Sequence, residues 1–240
     1  DGSDHGSYTL GLTHFLKEIF GEDVTIPPKK YHAILDTCGR WGAFSFSFLC
    51  YNEKFRTNEA TGSHLFTDSS WFIKRENAYA FAAKGGTNDE PHNHNDLGSF
   101  IIAGKSGQLI CDLGCGKYTK QYFERDTRYT ILCNSSFGHG VPIINSEPQQ
   151  PGADSFAILA ETEDGICIDL TNAYKTDGIK SIKRSFCFSK NAIVMQDDFS
   201  FDRPLSVTER FVSRRKPEIK DGAVQIGTLL IFVKNATPIV

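Results

Sequence analysis

The sequence predicts a mainly β fold, an antiparallel β-sandwich preceded by two α-helices, and three observations carry that prediction. From about residue 42 onward, apolar residues recur with period two in short runs separated by Gly, Asn and Asp turns. No helical pattern interrupts those runs, which argues against parallel βαβ units and for two sheets packed face to face. Before residue 42 the period is helical.

Taken in order, Leu12, Phe15, Leu16 and Ile19 follow the i, i+3, i+4, i+7 rule, with Ser7 as N-cap and Gly21 as stop. Tyr31, Ile34, Leu35 and Cys38 repeat the pattern after Pro27 and Pro28, and Gly39 ends it. Residues 1–42 are therefore read as helical and 43–240 as the sandwich. Two helices cannot bury their apolar faces on each other and still make a domain, and the last strand stops at Val240 without a terminating signal. The expectation is a truncated piece of a longer chain. The stretches AYAFAAKGG, GSFIIAGKSGQLICDLG, SFAILAETEDGICIDL, KRSFCFSKNAIVMQDDF and EIKDGAVQIGTLLIFV each read as a strand or a hairpin.

Composition narrows the function. The chain is 40% hydrophobic and 12% aromatic over 240 residues, enough to bury a substantial core. Its net charge is −3 with basic residues spread along it, so no nucleic-acid footprint is present. No run approaches the roughly 20 apolar residues of a membrane span, so no membrane partner is expected. Seven cysteines, an odd number without paired spacing, leave at least one thiol free. Most are expected to be buried thiols, which leans toward a reducing compartment without excluding an extracellular or periplasmic one.

The polar segment EPHNHNDLGSF at 90–100 is where chemistry concentrates. In an extended chain His92 and His94 share a face about 6.6 Å apart. Asp112 lies in the apolar run LICDLG, where an unpaired carboxylate is costly to bury. His139 sits between two glycines just before the apolar VPII. Two His and one Asp with a water suit tetrahedral Zn²⁺; satisfied polar residues beside turns are the other reading. Geometry opposes the metal, because a plain hairpin turning at Lys105-Ser106 puts Asp112 opposite Ser99, away from His94.

Four segments in order, EPHNHNDLGSF, LICDLGCGKYT, YFERDTRYT and GHGVPIIN, resemble the C-terminal β-sandwich of the heparinase II/III-like polysaccharide lyases over residues 60–150. The resemblance implies a supersandwich-like fold behind the end of an (α/α) toroid, with the active site in the cleft between them. It implies a zinc, structural in role, held by His94, Asp112 and His139, and a sugar-facing His92 that neutralises or deprotonates substrate. A tyrosine past the ligand Asp serves the reaction in such lyases; Tyr122 is chosen here over Tyr118 and Tyr129. The opening DGSDHGSYTLGL resembles the late toroid, which would make Tyr8 the catalytic acid or base, although relatives often carry a carboxylate where His5 stands. The family's catalytic Asn has no counterpart in the sequence.

The implied activity is β-elimination of an acidic, uronate-containing polysaccharide or oligosaccharide of glycosaminoglycan or alginate type. An isolated fragment would be feeble, most of the toroid wall being absent. Two rivals from other classes are a non-catalytic carbohydrate-binding sandwich and a metal-dependent hydrolase.

Overall fold

The computed structural model describes residues 8–21, 24–27, 32–33, 41–55 and 61–239. The chain forms two compact units, one of residues 2–61 and one that begins at Gly62.

In the first unit the apolar spacing at Leu12, Phe15, Leu16 and Ile19 yields the helix Leu10–Phe20. Gly21 stops it in the left-handed region, at φ +61°. The helix follows directly on the short strand Tyr8–Thr9, so the residue before it is Thr9; Ser7 lies outside the described residues. The second helix is Trp41–Cys50 and not 31–38. His32–Ala33, inside the expected helix, pair instead in parallel with Tyr8–Thr9, and positions 31 and 34–40 lie outside the described residues. Trp41–Cys50 escaped the periodicity because it is apolar nearly all round, with Trp41, Phe48 and Leu49 exposed. It lies so close to the first helix that any side chain on Gly11 would collide with the backbone of Phe46 and Ser47. The boundary expected at residue 42 falls inside this helix, and the first strand of the β unit starts at Gly62.

The second unit is an antiparallel β-sandwich. One five-stranded sheet runs in the order Gly62–Phe66, Trp71–Arg75, Ala80–Lys84, Phe100–Gly104, Gly107–Ile110. The other runs Ile193–Phe201, Ile179–Phe188, Gly165–Asp169, Gly152–Glu161, Gly86–Asn88. A three-stranded meander, Glu218–Lys220, Ala223–Ile226 and Leu229–Ile231, and the pair Ile143–Ile144 with Val207–Thr208 complete it. Every hairpin expected from the period-two runs forms. The sheets meet through aromatic rings: Phe186 lies 4.8 Å from Phe81 and 5.1 Å from Phe100, and Phe72 stacks on Phe188 at 5.6 Å. Such pairs add about 0.5–1.5 kcal/mol each beyond the area they bury. Of the described cysteines only Cys111 is buried, and each of them is a free thiol. The expectation of mostly buried thiols fails because Cys115 and Cys133 sit in half-buried loops and Cys187 faces outward from its strand. Cys38 lies outside the described residues.

One inward position breaks the apolar rule. On Ile179–Phe188 the buried residues are Ile182, Arg184 and Phe186, and Arg184 is fully enclosed. It faces Asp197 directly across the ladder and binds it through two bonds of 2.8 Å, from Nε and from Nη2. Nη2 also donates to Glu209 at 2.7 Å. Burial first, with repulsion from Asp197 added, pushes the Glu209 carboxyl up to about 7 despite the attraction of Arg184. Near neutrality Glu209 therefore still holds a proton in part of the molecules, and in that form the trio is closer to uncharged.

That raised value has a sign. The folded protein holds the proton longer than the unfolded chain, whose Glu titrates near about 4.3. The contribution is full below that value and is lost as pH rises to about 7. Across this window Glu209→Gln, which mimics the protonated form, should escape that loss, so its urea midpoint is expected to gain on the wild type's as pH rises, while the opposing gain from His94, held down to about 4, is common to both proteins. Identical slopes in the two proteins would contradict the raised Glu209 carboxyl.

Candidate metal centre and adjoining cavity

The segment between residues 89 and 99 is the return path between the two sheets. Ala80–Lys84 belongs to the first sheet, Gly86–Asn88 to the second, and Phe100–Gly104 to the first again. Gly86 and Gly98 make the two bends at φ +85° and +81°, and a Cβ on Gly98 would come within 2.8 Å of the Leu170 side chain.

The path does not run as a strand. Residues 91–92 and 97–98 are turns, and the backbone bonds go to neighbouring loops: Asn95 N to Asn134 O at 2.9 Å, Leu97 N to Gln149 Oε1 at 2.9 Å, Gly98 N to Lys84 O at 2.9 Å. The shared face expected for His92 and His94 is therefore absent. His92 adopts φ +61° and is exposed, while His94 is buried.

Asp112 reaches the site because the hairpin is not plain. It turns at Lys105-Ser106, but a register shift between Ile102 and Ala103 sets Ile102 opposite Ile110, where the strand ends. Asp112 thus lies beyond the ladder, not opposite Ser99, and its Oδ1 accepts the Gly114 N–H at 2.8 Å. His139 follows the 3₁₀ turn Ser136–Gly138 and is fully buried. Its Nδ1 lies 2.6 Å from Asp112 Oδ2, and its Nε2 lies 2.9 Å from the Cys133 carbonyl. The His94 ring is 5.2 Å from that of His139. One ligand atom each from His94, Asp112 and His139 lie within 4.8 Å of one another.

The electrostatics suit a cation. Burial above all, with repulsion from nearby positive charges that include His139, lowers the His94 imidazole to about 4, so at neutral pH it carries a free lone pair. Burial alone would also lower His139, but its hydrogen bond to Asp112 and the charges of Asp96 and Asp112 outweigh that and raise it. Burial, the largest single influence, opposes ionisation of Asp112, yet the hydrogen bond and charge of His139, the Gly114 N–H and the charge of His94 together outweigh it and its carboxyl is held down. A carboxylate and an imidazole sharing one proton present a pair of donors that a divalent ion can take over. An Nε2–H bonded to the Cys133 carbonyl would leave the Nδ1 lone pair facing the site, the usual support of a metal-binding His. Two imidazoles and a carboxylate are a donor set for Zn²⁺, so the residues fit the ion.

The remaining expected site residues separate. Tyr122 is fully buried in the short helix Lys120–Phe123, its hydroxyl 3.5 Å from His94 Nε2 and accepting the Gly116 N–H at 3.4 Å. Burial pushes that phenol up. Its side chain is enclosed and its hydroxyl stands beside His94, and it is not among the residues around His92 described next. His92 instead lines an open cavity of about 320 Å³ with Asn93, Phe123, Arg128 and Tyr129. Tyr129, passed over in the sequence, donates its hydroxyl to Asn93 Oδ1 at 2.9 Å there. Arg128 reaches the carbonyls of Tyr122 and Asn93 at 2.9 and 2.7 Å and so joins the tyrosine helix to the His92 turn. The backbone of Tyr8 is in a strand of the other unit; its side chain, like His5, lies outside the described residues.

Sequence reasoning also missed Gln149, whose amide grips Leu97 at both N and O, at 2.9 and 2.7 Å, and whose carbonyl accepts from Asn95. A Gln pair between two prolines gave no signal of that role.

His92 carries strain that a glycine would not. A non-glycine residue at φ +61° costs roughly 1–2 kcal/mol. His92→Gly is expected to raise stability to denaturant by about 1 kcal/mol while removing the imidazole from the cavity. Equal or lower stability would show that the side chain has a structural task.

No family model matches the chain, and no curated protein matches it significantly.

Proposed function

We propose that the chain is part of a polysaccharide lyase of the heparinase II/III-like kind, cleaving uronate-containing glycans by β-elimination. The observation that carries this reading is the convergence of His94, Asp112 and His139, three groups far apart in sequence, within 4.8 Å beside the cavity that holds His92.

Zinc held by those three residues would cross-link three loops and fix the base of the His92 turn. The chain's own groups do the rest. Elimination breaks the C5–H bond of the uronate; its electron pair forms the C4–C5 double bond as the C4–O4 bond breaks, and O4 leaves with a proton. The developing charge spreads onto the uronate carboxylate, and an imidazole N–H from His92 stabilises it there. A ring nitrogen of His92 is the acceptor for the C5 proton, and the proton given up to O4 is restored from solvent. Tyr129, the cavity's phenol, is the group placed to protonate the leaving oxygen; Tyr122 is enclosed and serves through His94.

The test uses the protein carrying this whole chain together with any residues that flank it. Heparan, hyaluronan and alginate fragments are incubated with it, and the ultraviolet absorbance of the new double bond conjugated to the carboxylate is followed. A rise is expected with at least one of them. His92→Ala should lower turnover by about 10²- to 10⁴-fold with little change in binding; loss of binding without any turnover to lose would favour a carbohydrate-binding module.

A further inference from the structure

The loops that carry His94 and His139 are irregular, and an irregular loop holds a ligand atom in place only when its backbone is tied to something rigid. Both are tied to the same group. The carbonyl of Gly98, four residues after His94, accepts from Arg184 Nη1 at 3.0 Å. The carbonyl of Gly140, directly after His139, accepts from the same Nη1 at 2.7 Å. The guanidinium is itself immobilised: Nε and Nη2 lie on Asp197 at 2.8 Å each, Nη2 also on Glu209 at 2.7 Å, and the Phe100 ring lies 5.6 Å away. These bonds use all of an arginine's donors. Since Asp197 and Arg184 are cross-strand neighbours in the second sheet, the anchor is the sheet itself.

We infer that Arg184 is the positioning residue of the metal centre, its one Nη1 coupling the His94 loop to the His139 loop so that the two imidazoles keep their spacing. The inference rests on the metal reading above. A merely structural Arg184 would predict something different: any equal loss of core stability would weaken the ion as much. Lysine is the informative replacement, because it keeps a positive charge against Asp197 and Glu209 but lacks the planar fork that serves both carboxylates and both carbonyls together.

Zinc affinity of the full chain is measured by competition with a coloured chelator, and ligand geometry by the visible spectrum of the Co²⁺ form. Arg184→Lys is expected to weaken zinc about 10- to 100-fold, the usual effect of losing an outer support, and to alter the cobalt spectrum. Ile182→Val, the next inward residue on the same strand, should lower the melting temperature and leave both readouts unchanged. Wild-type affinity and spectrum in Arg184→Lys overturn the inference, and so does a loss of affinity in Ile182→Val that tracks its loss of stability. If Arg184→Lys does not fold, Asp197→Asn, which loosens the guanidinium, takes its place: a several-fold loss of affinity supports the coupling and wild-type affinity overturns it. A wild-type chain that takes up no zinc removes the metal reading, and the inference with it; wild-type uptake beside equal uptake in the variant removes the inference alone.

Discussion

His139→Ala is expected to abolish stoichiometric zinc binding, with affinity falling by more than the roughly 100-fold that loss of an outer support alone produces. His139 is bonded through both ring nitrogens, to Asp112 at 2.6 Å and to the Cys133 carbonyl at 2.9 Å. Removing it leaves Asp112 half-buried without the hydrogen bond that holds its carboxyl down. The Asp112 pKa should therefore rise, and the surviving pair of ligands should hold a proton where it had held a cation. Deleting a fully buried imidazole also opens a void and orphans a carbonyl, about 1–3 kcal/mol of stability for the latter. Asp112→Asn separates the two effects, since its amide oxygen can still accept from His139 while the charge is gone. It should keep the fold and lose the ion. Elemental analysis of both variants after dialysis against limiting zinc decides the matter; wild-type stoichiometry in His139→Ala would remove these three residues as a metal centre.

How far the sequence reaches can be judged from particular residues. The hairpins were legible because each turn is written in local chemistry: Lys105-Ser106 lies between two runs whose parity shows which face is buried. The second helix was not, because Trp41–Cys50 offers apolar residues on every side and so no period to find. His94, Asp112 and His139 could be grouped only through the resemblance of four segments, since their meeting depends on one register shift between Ile102 and Ala103, which no residue type announces. His92 and His94 were wrongly placed on one face because alternation was taken for a strand, when the segment is a sheet-to-sheet return bent at Gly86 and Gly98. The choice between Tyr122 and Tyr129 turns on the direction of two four-residue helices, Lys120–Phe123 and Arg125–Arg128, and short helices leave no periodic trace. Arg184 did leave a signal: it stands at core parity between Ile182 and Phe186, where a cation must have partners.

Arg184→Leu should be the most damaging single change to the fold, at about 3–5 kcal/mol, the range for breaking a buried ion pair from one side. Leucine fills part of the space, yet Asp197 and Glu209 then face each other without a cation and the carbonyls of Gly98 and Gly140 lose their shared donor. The loss should be smaller in mild acid, where Glu209, already pushed up to about 7, holds its proton and less charge is stranded. Replacing Arg184, Asp197 and Glu209 together by leucine removes the stranded charges and should recover much of the stability, because apolar substitutes for a whole buried ion cluster are often neutral or better. The two carbonyls would still be untied, at roughly 1–3 kcal/mol each. The triple variant thus divides what the single one confounds: urea unfolding should report a protein nearer the wild type, and zinc competition should still report a weakened centre. Recovery of both together would mean that the cluster stabilises the sandwich and nothing more.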